Sequence, residues 1–244
     1  MTLYLIGLGL EDEKSISLKA LEKIKLCKEV YLENYTSILQ TPISKLEKLY
    51  NKKIILADRN LIENNFLEVI EKSRKENIAL LIPGDVFPAT THISIFKECK
   101  SQGIKIEILN NASVLTAVGI TGLELYKFGR VASIPFDNSN VTTPITILKE
   151  NQKLNLHTLL LLDLNPRENK FLTIKEAVAY LGKNKISLNE KALACARLGC
   201  ENYLIKSGAL SELKNKNYGN PPYCLIIPSK KLHFIEEEMF NEWE

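Results

Sequence analysis

The sequence predicts an α/β protein built as two α/β domains. In its first third, short β-rich runs alternate with amphipathic stretches. One of those runs, IALLIPG at 78–84, is almost wholly apolar, as in a strand covered on both faces of a parallel sheet. The 244 residues, 45% hydrophobic and 25% charged, supply a sizeable core and suit two domains of ordinary size.

The elements follow in order. LYLIG at 3–7 is a strand, and Ile16, Leu21, Ile24 and Cys27 then recur at helical spacing. VYLE at 30–33 and KIILA at 53–57 are strands, and Ile62, Phe66, Val69 and Ile70 make one helical face before IALLIPG. Parallel strands joined by crossover helices follow from this rhythm. In TTHISIFKECKSQG a helix begins near Thr90, with Ile93, Phe96 and Cys99 on one face and Gly103 as its stop. The strand-like IKIEIL completes a first domain of residues 1–109. The polar interruption Asn110, Asn111 and Ser113 opens a second of residues 110–244. There VASIPF, HTLLLLDL, ALACAR, ENYLIK, YCLIIP and KLHF are strand-like, several close enough to pair antiparallel. Thr143 with Pro144 signals one helix, and the capping box of Thr173 and Glu176 signals another. A mixed sheet carrying helices is expected, with no repeat or low-complexity segment.

Thirty-two basic residues against 29 acidic ones leave a net charge of +3, too small and dispersed to be a nucleic-acid footprint. No apolar run has a membrane span's length, and the start MTLYLIGLGLEDEK lacks the basic segment of a secretory signal. The five scattered cysteines therefore read as free thiols in a cytoplasmic protein, with no membrane partner expected.

Most catalytic signatures are missing: no phosphate loop, HExxH, GxSxG or CxxC is present. With three histidines, His92, His157 and His233, no metal site is expected, and Cys195 and Cys200 read as core thiols. Gly7-Leu8-Gly9-Leu10 opens like a dinucleotide fingerprint but has Asp12 where the third glycine belongs. A tight turn and a close backbone approach to a ligand explain it equally well. Pro83-Gly84-Asp85-Val86-Phe87-Pro88 follows the buried strand at its carboxyl end, where open α/β sheets bind ligands. Composition alone favours Asp85 as a turn or helix cap. Ser113 is an N-cap that also suits amides facing a ligand. Asp163, ending HTLLLLD, and Glu33 with Tyr35, in YLENYTS, read either as turn residues or as site residues, Asp163 as a general base.

These stretches resemble the diphthine synthases. MTLYLIGLGLEDEKSISLKALEKIKLCKEVYLENYTS, LIPGDVFPATTH, NNASVLTAVGITGLELYKFG, HTLLLLDL and NPPYCLIIPSKKLHF match in order over nearly the whole chain. The ATTH tail, the NAS turn and GITGLELYKFG are specific in combination. The wider group is the tetrapyrrole-methylase-like, class III, S-adenosylmethionine-dependent methyltransferases. The resemblance implies two α/β domains with the cofactor in the cleft between them, in a homodimer.

Carried over by motif, the family's cofactor contacts fall on Leu10, Asp85, Pro88, Ser113 and Val114, and, from the second domain, on Leu162, Leu198 and Tyr223. Val86 stands where the family's loop usually has proline, which should loosen the loop, and Tyr223 stands where histidine is common. The implied reaction moves methyl groups from S-adenosylmethionine, leaving S-adenosylhomocysteine, to the amine of a 3-amino-3-carboxypropyl group on one histidine of translation elongation factor 2. This is a step of diphthamide biosynthesis. No residue singles itself out as a base, so the catalytic residues stay unassigned. Methylation of a corrinoid-pathway tetrapyrrole or of a ribosomal RNA ribose is the alternative within the fold. A non-catalytic nucleotide-binding module is the alternative outside it.

Overall fold

Leu3–Gly7 (β1), Glu29–Glu33 (β2), Ile54–Ala57 (β3), Ile78–Ile82 (β4) and Ile106–Leu109 (β5) form the first sheet of a computed structural model that describes residues 1–88 and 91–244. Ala89 and Thr90, in the ATTH stretch and at the expected helix start, lie outside the described residues. The strands run in the order β3-β2-β4-β1-β5, and every pairing is parallel. β4 has no exposed residue, as its unbroken apolar run requires.

Between these strands lie α1 (Leu18–Leu26), α2 (Ile43–Tyr50), α3 (Arg59–Asn64), α4 (Leu67–Lys72) and α5 (Ile93–Ser101). Helix α1 starts where Ser17 accepts a hydrogen bond from the Ala20 amide. Ala20 and Ile24 of α1 and Leu46 and Tyr50 of α2 pack on Tyr4 and Ile6 of β1. Ile62, Phe66, Val69, Ile70, Ile95 and Cys99 pack on Leu3 and Leu5, so the helices divide between the two faces.

Three sequence expectations change. The face from Ile62 to Ile70 is split between α3 and α4, interrupted at Asn65 and Phe66, yet its four side chains still reach one core. Ile95 takes the buried position on α5, while Ile93 is exposed. Helix α2, which the periodicity did not single out, covers Tyr4 and Ile6. Gly103 follows α5 at φ +64°, the conformation its role as a stop requires.

The chain folds as two compact units, Met1–Leu115 and Thr116–Glu244, so the division falls after Leu115 rather than after Leu109. The polar turn expected to open the second domain is hydrogen-bonded to strand-end loops of the first. A short helix, α6 (Val114–Ala117), follows it.

In the second unit β6 (Ala132–Ile134) precedes α7 (Thr143–Lys153), then come β7 (Thr158–Leu162) and a small ladder of β8 (Leu164–Asn165) with β9 (Lys170–Phe171). Helix α8 (Ile174–Lys183) opens with the expected box, the Thr173 amide donating to Glu176 Oε2 over 2.8 Å. Then follow β10 (Lys191–Ala196), β11 (Leu204–Ala209), α9 (Leu210–Leu213), β12 (Tyr223–Ile227) and α10 (Phe234–Glu242). The sheet runs β11-β10-β12-β7-β6 and is mixed, with only β6 and β7 parallel. KLHF is not a strand: His233 is the N-cap of α10 and its amide donates to Glu236, a local helix start that outweighs the short apolar pattern.

Candidate cofactor-binding site

The loops after β1 and β4 leave neighbouring parallel strands at their carboxyl ends and are joined to each other. The Gly9 amide donates to Gly84 O over 3.0 Å, and the Gly84 amide donates to Gly9 O over 2.7 Å. This approach needs glycine. A Cβ on Gly7 would lie 2.8 Å from Gly84 O, and Gly9 and Gly84 sit at φ +79° and +86°. The chain leaves β1 for α1 on one face of the sheet and β4 for α5 on the other. Such a parting of connections opens a crevice beyond the strand ends, the usual ligand position in an open α/β sheet.

The turn after β5 closes the group. Asn111 donates from its backbone amide to Asp85 Oδ1 at 2.9 Å. Its Nδ2 donates to Gly7 O at 3.1 Å and Ser15 O at 3.0 Å, and its Oδ1 accepts from the Ala112 amide at 2.8 Å. One residue thus binds the loops of three adjacent strands. A Cβ on Gly84 would have Ala112 O and Leu10 Cδ2 as its nearest neighbours, both 3.9 Å away, so a methyl is accommodated there beside Leu10. The structure brings Leu10, Asp85 and the turn leading into Ser113 together, with Ser113 buried and Val114 at the start of α6. Pro88, half-buried, follows on the Asp85 loop. The sequence reading did not single out the Asn111 side chain; the doubled Asn110-Asn111 before Ala-Ser was the available signal.

In the second unit, Leu162 ends β7, Tyr223 begins β12 and Leu198 lies just beyond β10. Cys224 faces Leu161 and Tyr223 faces Ala196, so the three residues collect at one end of that sheet. Leu162 and Leu198 are buried; Tyr223 is half-buried, its hydroxyl donating to Gly219 O. Arg197, at φ +52°, anchors this end. Its guanidinium donates to Asn202 O at 2.9 Å, to Tyr218 O at 3.0 Å and to Asn220 O, tying the segments beside Leu198 and Tyr223.

Asp163 is a turn residue. Its Oδ2 accepts from the Phe136 amide at 3.1 Å and its Oδ1 from the Leu164 amide at 2.9 Å, so each oxygen holds a backbone amide. Glu33 and Tyr35 are buried, and Glu33 Oε1 accepts from the Thr36 amide at 2.8 Å. All five thiols are buried. Burial raises Cys27 to about 12, opposed by Lys52, and raises Cys99 to about 11, so neither supplies a thiolate at neutral pH.

The joined glycine loops, one carboxylate and apolar neighbours make this end of the first sheet the candidate site, and the family of the chain is shown by comparison with known proteins. The tetrapyrrole (corrin/porphyrin) methylases match residues 2–214. The diphthine methyl ester synthase of Saccharomyces cerevisiae is 38% identical, covering 99% of this chain and 89% of the relative. The chain belongs to the diphthine synthase branch of the tetrapyrrole methylases. The diphthine synthase of Methanocaldococcus jannaschii is 40% identical over 97% of this chain and 96% of its own. A solved diphthine synthase structure superposes with a TM-score of 0.94 at 36% identity, over 100% of this chain and 96% of that one. The members of this branch are methyltransferases, and this chain is one of them.

Proposed function

We propose that the protein uses S-adenosylmethionine to methylate the amine of a 3-amino-3-carboxypropyl group carried by a histidine of translation elongation factor 2, within diphthamide biosynthesis. The observation that carries this reading is the joint of Gly9, Gly84, Asp85 and Asn111 at the strand ends, in a chain of the diphthine synthase branch. We read the protein, on the same resemblance, as a cytoplasmic homodimer.

Leu10, Asp85, Pro88, Ser113 and Val114 are the cofactor contacts proposed on the first unit, and Leu162, Leu198 and Tyr223 are those proposed on the second. Bound there, S-adenosylmethionine supplies a methyl group on a positively charged sulfur that leaves readily. The chain's own task is to bind, orient and exclude water, which requires no nucleophilic side chain. Asp85 spends Oδ1 on the Asn111 amide, and its Oδ2 is the oxygen left for a hydroxyl or ammonium of the cofactor. Leu10, Leu162 and Leu198 contribute apolar surface that holds neither a proton nor a competing nucleophile.

Radiolabelled methyl transfer tests the reading with four acceptors in parallel: elongation factor 2 bearing the precursor group, the unmodified factor, a corrinoid precursor and ribosomal RNA. Label is expected in the first alone. Label in RNA or the corrinoid, with the precursor-bearing factor unlabelled, would overturn it. The yeast relative's name favours a carboxylate oxygen as a further acceptor. Mild alkali releases an ester-bound methyl and leaves an N-methyl in place, so mass spectrometry of the product before and after alkali reads this second outcome.

A further inference from the structure

His92, the last residue of the ATTH stretch, is fully buried just ahead of α5 and touches two strand-end segments at once. Its Nδ1 lies 3.2 Å from the carbonyl oxygen of Val86, which can only accept, so Nδ1 is the donor there. Its Nε2 lies 3.2 Å from Oε2 of Glu33, also fully buried, at the end of β2. The other carboxylate oxygen, Oε1, is taken by the amide and hydroxyl of Thr36. Glu33 is therefore fixed from one side by its own turn and presents its free face to the imidazole. The imidazole in turn holds the carbonyl of Val86, the residue between Asp85 and Phe87. Val86 occupies the position where a proline ring would restrict the loop, and it too is fully buried. The Asp85 loop is thus held at two neighbouring points, by Asn111 at Asp85 Oδ1 and by His92 at Val86 O.

We propose that Glu33 and His92 are positioning residues for cofactor binding: the buried pair fixes the Val86 carbonyl and with it the orientation of Asp85 and Pro88. Neither side chain is exposed to a ligand, so the pair acts through the loop it holds. The inference rests on the reading that this loop lines the S-adenosylmethionine site.

Calorimetry of S-adenosylmethionine binding tests it on the full chain with His92→Leu, His92→Asn and Glu33→Gln. His92→Leu removes the donor to Val86, and its Kd is expected to rise about tenfold or more. In His92→Asn the side-chain amide can still donate from the Nδ1 position, so most of the affinity should return. Glu33→Gln leaves the imidazole in place but weakens its orientation, and should raise Kd about threefold to tenfold. Amide hydrogen exchange over residues 84–88 should quicken in the order of the Kd values. The KM for cofactor should follow Kd, while kcat at saturating cofactor should change much less. Melting temperatures that fall while Kd and loop exchange stay at wild-type values would overturn the proposal and leave a purely structural pair. If His92→Leu does not fold, Glu33→Gln decides: a wild-type Kd there overturns the role of the pair. A wild-type protein that fails to bind S-adenosylmethionine at all removes the functional reading and this inference with it, an outcome distinct from variants that bind as wild type does.

Discussion

His157 Nε2 and Glu236 Oε1 meet 2.7 Å apart in the interior of the second unit, joining the start of β7 to the first turn of α10. The Ser229 amide donates to His157 Nδ1 at 2.9 Å, so Nδ1 is the acceptor and Nε2 carries the hydrogen that Glu236 receives. Lys127 Nζ at 2.6 Å and the amides of His233 and Glu124 complete the carboxylate's shell. This network turns α10 back onto the sheet.

The network makes stability sensitive to acid. Burial pushes the His157 imidazole below its ordinary value of 6.5, against the opposing pull of Glu236. Burial would raise Glu236, but bonds from Lys127, the His233 and Glu124 amides and His157 outweigh it and hold the carboxyl at about 2. Both groups bind fewer protons folded than unfolded, so their contribution is present above the unfolded values and is lost as pH falls, first His157 below 6.5 and then Glu236 below 4.5. Urea unfolding between about pH 3 and pH 8 should show this decline. Glu236→Gln should cost about 3 kcal/mol at neutral pH and remove most of the slope at the acid end. A slope as steep in the variant as in the wild type would count against the assignment.

Asp85 and Asp163 are both strand-end aspartates with different work. Asp85→Ala should weaken S-adenosylmethionine binding about tenfold to a hundredfold, the worth of a hydrogen bond from a charged group. Asp163→Ala should leave that affinity near wild type and lower stability by about 1 to 2 kcal/mol, because two backbone amides lose their acceptor. Calorimetry paired with thermal melting separates them. Equal loss of affinity in both would contradict the placement of the site.

Gly7 and Gly84 should respond oppositely to alanine. Gly7→Ala drives a methyl to 2.8 Å from a backbone oxygen, so the loops must separate and stability should fall by about 1 to 3 kcal/mol. Gly84→Ala has room for its methyl and should cost about 1 kcal/mol for its left-handed φ. That methyl comes to lie beside Leu10 in the proposed site, so this variant should remain folded yet bind S-adenosylmethionine weakly. Unchanged affinity in folded Gly84→Ala would count against a ligand beside Gly84 and Leu10.

The α/β character, the strands of both sheets, the Thr173 box and the positions of the two glycine loops were legible in the sequence, because each rests on local periodicity or on residue types with narrow conformational preferences, though KLHF was misread as a further strand. The same local signals left Asp85 and Asp163 indistinguishable, since an aspartate at a strand end looks alike whether it caps a turn or faces a crevice. Tertiary structure supplies their partners: Asp163 accepts from Leu164 beside it and from Phe136 across β6 and β7, whereas Asp85 accepts from Asn111, whose side chain also bonds the loop after β1. It also decided the strand order β3-β2-β4-β1-β5, which places β1 beside β4 and so lets Gly9 and Gly84 bond. The contacts of Asn111 and His92 were not legible in the sequence either. Asn111 bonds Gly7, Ser15 and Asp85, and His92 meets Glu33, contacts that exist only once parallel strands have been brought side by side.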